Sequence, residues 1–176
     1  MKKRGFTLVE MIIAIFIFAI VALVSTSTLL LLNDAQKKAF ALRNVYDSMR
    51  FSLEILAKDI RTGTAFHCGS SGNLALPQDC AGGASAFTYT SSGAGNPQVT
   101  YALNNGRIQK SVGAGAPGDV TLPEVVIDDL RFIVMGSGVG DTIQPRVAII
   151  IIGHVGAGRR QSKFNLQTTI TQRKVF

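Results

Sequence analysis

Between positions 6 and 32 the chain carries one charged side chain, Glu10, in an otherwise apolar run. A carboxylate left unpaired in hydrocarbon costs on the order of a few kcal/mol, so Glu10 either lies shallow enough to reach headgroups or is met by a cation. Other groups able to do chemistry are thinly spread. Cys68 and Cys80 flank a loop rich in Gly, Ser and Asn that contains Pro77. In an oxidising compartment they form a disulfide, contributing about 3 kcal/mol by restricting the unfolded loop; in a reducing one they stay as thiols. His67 and His154 are the only histidines. His67 beside Cys68 allows a Cys/His nucleophilic pair in principle, which oxidation of Cys68 removes. No second Cys or His pair stands at zinc-ligand spacing. Asp128, Asp129 and Asp141 could offer oxygen to calcium, but no ligand loop gathers them.

Two glycine patterns imitate nucleotide sites. The stretch 153–160, Gly-His-Val-Gly-Ala-Gly-Arg-Arg, follows an apolar run but lacks the Lys-Ser/Thr pair that grips phosphate and Mg²⁺, and alternation follows it where a helix should begin. It reads as a turn. Residues 113–118 fit the dinucleotide spacing formally, yet Pro117 sits inside them and no helical pattern follows. The sequence therefore assigns no catalytic residue, no cofactor and no metal.

The elements that hold these groups begin with the apolar run itself. It is long enough to cross a bilayer, which takes roughly 20 apolar residues. Lys2, Lys3 and Arg4 lie on its N-terminal flank, so the positive-inside bias keeps the N-terminus in the cytoplasm and exports the chain beyond residue 32. That topology favours the disulfide. The formal charge of +7 includes those three cations, and the remainder is spread without basic runs interleaved with aromatics, so nucleic-acid binding has no support.

Beyond residue 32 an apolar stripe continues at Ala35, Ala39, Leu42, Tyr46, Met49, Leu53, Leu56 and Ile60, alternating steps of four and three. This keeps one helical face apolar, to seat on a sheet in preference to a coiled coil. Asp47/Arg50 and Glu54/Lys58 stand at spacings that let opposite charges meet. One helix is expected from Phe6 to about Ile60, roughly 80 Å at about 1.5 Å per residue, stopped by Thr62-Gly63. Short β-prone runs succeed it at 87–90, 99–103, 107–112 and 124–135. Asn104-Asn105-Gly106 makes the second and third of these a hairpin. The apolar run 147–152 reads as a strand covered on both faces. Phe164, Leu166, Thr168 and Ile170 alternate, as in a strand with one side wet. A long helix followed by antiparallel strands is an α+β head.

Lys2-Lys3-Arg4-Gly5 followed by Phe6-Thr7-Leu8-Val9-Glu10 and an apolar helix closely resembles the class III signal of type IV pilins and of the pseudopilins of type II secretion and competence systems. In that family prepilin peptidase, a membrane aspartic enzyme, cuts after the glycine and methylates the new N-terminal residue. The resemblance thus implies a cut between Gly5 and Phe6 and a methylated Phe6. It gives Glu10, the fifth residue after the cut, the task of neutralising the N-terminal amine of a neighbouring subunit. Two opposite charges buried together in lipid satisfy each other where each alone is costly.

The resemblance also implies a pilin-like plan: a leader at 1–5, a membrane and filament-core half of the helix at 6–32, an amphipathic half at 33–61 and a β-rich head at 62–176. The segments 49–61 and 164–173 resemble minor pseudopilins of the J type and their minor pilin relatives. Many members carry a proline in the membrane half. Here Ser25-Thr26-Ser27-Thr28 stands instead, able to bond helix carbonyls but not to make a proline kink. The expected partners are prepilin peptidase, other pilin or pseudopilin subunits, the assembly platform of the cytoplasmic membrane and, before assembly, the lipid bilayer. The competing reading is an extracytoplasmic enzyme or binding domain on an uncut anchor, and a major shaft subunit stays open beside a minor one.

Overall fold

The computed structural model describes residues 5–138, 140, 143–156 and 161–173. Its elements are the helix α1 (Leu8–Thr62) and nine strands: β1 (Thr64–Cys68), β2 (Cys80–Ala84), β3 (Ala86–Thr90), β4 (Gln98–Asn104), β5 (Arg107–Val112), β6 (Gly118–Asp119), β7 (Val125–Met135), β8 (Arg146–Val155) and β9 (Ser162–Thr171). The chain forms two compact units, residues 1–40 and 41–176.

In the first unit Thr7 caps α1. Its hydroxyl accepts the Glu10 amide at 3.3 Å, satisfying one of the four free donors of the first turn. The apolar side chains from Phe6 to Leu32 lie exposed. An 18-residue stretch with mean hydropathy 2.8 meets the length and composition needed to cross a membrane. Thr26, Ser27 and Thr28 donate to the carbonyls of Ala22, Leu23 and Val24 at 2.8, 2.9 and 2.9 Å, so their hydroxyls are satisfied inside the helix, which runs on without a break.

In the second unit the remaining turns of α1 join two antiparallel sheets, ordered β1-β3-β4-β5-β6 and β2-β7-β8-β9. The α+β expectation holds. The expected hairpin is β4–β5: Asn105 and Gly106 have φ of 49° and 72°, the two left-handed residues that a primed two-residue turn demands. The closing alternation is β9, with Phe164 and Ile170 buried and Leu166 and Thr168 half-buried on one side.

The apolar stripe of the helix is displaced from its expected course. Val45, Ser48, Met49, Ser52, Leu56 and Ile60 are buried, whereas Tyr46 is 51% exposed and Ala35 and Ala39 belong to the first unit, exposed. Small Ser48 and Ser52 let the backbone just after β6 come close: the Ser52 hydroxyl lies 2.8 Å from the Val120 carbonyl and 3.1 Å from that of Ser48. Burial follows what the sheets offer to the helix, and a serine with a carbonyl partner fits that seam better than a tyrosine.

The apolar strand β8 also departs from expectation. Val147, Ile149, Ile151 and Val155 face the core, but on the other side Ala148 is buried, Ile150 half-buried and Ile152 37% exposed. One face is sealed and the other opens progressively toward solvent, because the described chain covers it with no second layer near Ile152. Gly153, assigned to a turn by the sequence, lies within β8. A Cβ there would stand 2.4 Å from the Val126 carbonyl oxygen and 2.7 Å from the Phe164 ring.

Candidate assembly site

The segment ahead of α1 is extended and exposed. Gly5, Phe6 and Thr7 precede the first helical residue, and Phe6 is 74% exposed. The peptide bond between Gly5 and Phe6 is therefore free of helical hydrogen bonding and open to approach. The capping geometry then places Glu10 in the first turn, where unsatisfied amides and the helix dipole favour negative charge. Thr7-x-x-Glu10 is the spacing of a capping box, a signal in plain view that sequence reasoning passed over. Among the described residues Glu10 enters no ion pair. Lys2, Lys3 and Arg4 lie outside the described residues.

In the head, Cys68 and Cys80 are joined as a disulfide with their Cα atoms 5.9 Å apart. The bond links β1 of one sheet to β2 of the other. It removes the sulfur nucleophile, and His67 is occupied otherwise. The ring is 2% exposed, with Nδ1 2.8 Å from the Leu76 carbonyl and Nε2 2.9 Å from that of Ser71. It acts as the internal post around which the loop between the cysteines folds. Asp79 in the same loop accepts the Gly136 and Ser137 amides at 2.9 and 2.8 Å.

Two of the three calcium candidates have other partners. Asp128 meets His154 at 2.9 Å, Asp129 meets Arg131 at 3.7 Å, and Asp141 lies outside the described residues, as do positions 157–160 of the glycine pattern that spans 153–160. Among the described residues no three His, Cys, Asp or Glu side chains could hold a metal.

Sequence reasoning missed a polar knot where α1 meets the first sheet. The Asp59 carboxylate accepts the Tyr101 hydroxyl and the Lys110 ammonium, both at 2.6 Å. Lys110 also stands 5.6 Å from the centre of the Tyr101 ring. Burial alone would push the Asp59 carboxyl up, but the hydrogen bonds from Lys110, Tyr101 and Tyr89 outweigh it and hold it below its ordinary value. Burial, and then the Asp59 charge, push Tyr89 and Tyr101 well above the usual phenol range. Such groups hold structure together and present nothing reactive to a ligand. The available signal was Asp59 itself, an acid one residue from the buried Ile60.

Residues 1–26 match the family model described as "Prokaryotic N-terminal methylation motif". No curated protein and no solved structure matches the chain. The N-terminal match supports a segment of the kind that prepilin peptidase cleaves and methylates.

Proposed function

We propose, from that match, that the chain is a structural subunit of a type IV pilus or of a type II secretion or competence pseudopilus. It enters the cytoplasmic membrane as a single-pass precursor, N-terminus inside and head outside. Prepilin peptidase cuts between Gly5 and Phe6 and methylates Phe6, and the assembly platform adds the product to a helical filament. The observation that carries this reading is a methylation motif over residues 1–26 continuing into a helix whose 18-residue apolar window is wholly unburied. Such a surface needs lipid first and the apolar helices of neighbours afterwards. Heterologous contacts that do not close then extend the fibre.

Glu10 is the registering charge. Its carboxylate, already placed at the positive end of α1, meets the amine that cleavage exposes on an adjoining subunit. The likeness of residues 49–61 and 164–173 to J-type minor pseudopilins supports a minor subunit. Mass spectrometry of the protein from its native host tests the proposal: the expected mass starts at an N-methylated Phe6. Gly5→Leu should leave an uncut precursor, and Glu10→Ala should be trimmed normally yet fail to enter filaments. A mature chain that still begins at Met1 overturns the assignment.

A further inference from the structure

An open sheet ends in two edges, and an edge with free amides and carbonyls recruits any extended chain it meets, so folded proteins blunt theirs. Among the described residues, three of the four edges in this head are blunted. β6 is two residues long. β1 is covered by Gln78, whose carbonyl accepts the Cys68 amide at 3.0 Å and whose amide donates to the Phe66 carbonyl at 2.8 Å. β2 has five residues, slips register with β7 between Cys80 and Ala84, and is pinned at Cys80 by the disulfide.

The fourth edge, β9, carries none of these devices. It runs ten residues, Ser162–Thr171, in unbroken register with β8. Lys163 is its single charge, and the strand contains no proline or glycine. In an antiparallel pair every second residue turns its N–H and C=O away from the neighbour, which leaves about five of each along β9. Among the described residues no backbone group bonds to that side of the strand; the next contacts are made beyond it, by the Gln172 and Arg173 amides. The side chains suit pairing as well. Asn165, Gln167, Thr169 and Thr171 are exposed and uncharged, while on the opposite side Leu166 and Thr168 are only half-buried between Phe164 and Ile170. An added strand that alternates polar and apolar residues lays the first kind beside Asn165, Gln167 and Thr169 and the second beside Leu166 and Thr168.

We infer that β9 is a docking edge, which takes up an extended segment of an unlike filament subunit as a further strand of the second sheet. Symmetry makes the partner unlike. An edge meets its own twin only across a two-fold axis, which closes a pair, whereas head-to-tail addition never brings the same edges together. No other edge of this chain matches either, since β1, β2 and β6 offer at most five residues and β1 is already covered. In such pairing the backbone bonds supply affinity and the alternate side chains choose the partner. The inference rests on the filament reading and adds to it which edge of the head receives a neighbour.

The test uses tagged full-length chain expressed in its native host, compared as trimmed protein in detergent and in sheared filaments. In detergent, hydrogen exchange should find alternate amides of residues 163–171 fast and the intervening ones slow; in filaments the fast set slows about a hundredfold. In a second arm, benzoylphenylalanine placed in turn at Asn165, Gln167 and Thr169 is photo-activated in filaments. The expected adducts fall on one subunit other than this chain, at sites that move by two residues for each such step along β9. Trimmed, filament-bound copies whose fast amides stay fast overturn the inference and leave the proposed function standing. Adducts on a second copy of this chain, or adducts that do not step with position, do the same. A chain that stays untrimmed and outside filaments overturns both.

Discussion

Asp59→Ala should cost the head about 3 kcal/mol at neutral pH, and the loss should shrink in acid. The substitution removes an acceptor that takes a hydroxyl and an ammonium, each at 2.6 Å. Hydrogen bonds to a charged group are worth about 1.5–3 kcal/mol each, and taking away one partner strands the other in a half-buried site. The Asp59 and Lys110 side chains keep 19% and 29% of their exposure, so water recovers part of the loss and the lower end of the range applies to each. The sign of the pH dependence comes from the depressed carboxyl. The stabilisation is present above the ordinary value of 3.8 and fades as pH falls through the still lower folded value. Urea unfolding of the full chain in detergent, followed by near-ultraviolet dichroism of the tyrosines, reads the head directly. Tyr101→Phe, which leaves the Lys110 bond intact, should cost about 1.5 kcal/mol. A loss from Asp59→Ala below about 0.5 kcal/mol, or one that stays equal in acid and at neutrality, would refute the reasoning.

Reduction of the Cys68–Cys80 bond, or Cys68→Ala with Cys80→Ala, should lower stability by about 3 kcal/mol for a loop of this size, measured in the same urea assay with and without reductant. Gly63→Val should destabilise by about 2 kcal/mol or more, because a Cβ there would stand 2.3 Å from Tyr89 Cδ2; thermal melting checks this. In a Tyr46→Phe background the phenolate absorbance of Tyr89 and Tyr101 should appear on alkaline titration only together with loss of the head's dichroism, since both hydroxyls are held far above the phenol range. Phenolate formed while the fold is intact would contradict that burial.

The sequence was most legible where a single physical rule acts alone. The Asn105-Gly106 turn comes from left-handed backbone, the β9 alternation from the pleat, the long helix from periodicity, and the pairing of Cys68 with Cys80 from compartment and count. It was least legible where two surfaces choose each other. Periodicity fixed that one face of α1 is buried, but only the sheets decide that Val45, Ser48 and Ser52 turn inward and Tyr46 outward. Asp59 reads as one more surface acid until Lys110 and Tyr101, from strands far along the chain, are brought to it. The apolar run in β8 says nothing of whether a layer lies over its second face. At the candidate assembly site Gly5, Phe6 and Glu10 were read from the motif, whereas the Thr7 cap, equally visible, was read only from the hydrogen bonds.

The end of β9 is tied to the end of α1. Gln172 donates to the Gly63 carbonyl at 2.7 Å across 109 positions, and the Arg173 amide donates to the Arg61 carbonyl at 2.9 Å. A seam of such long range can close only after nearly all of the chain between its ends is in place. The globule therefore stays unfinished until its last strand arrives, and until then the buried stripe of the helix stands without its mate.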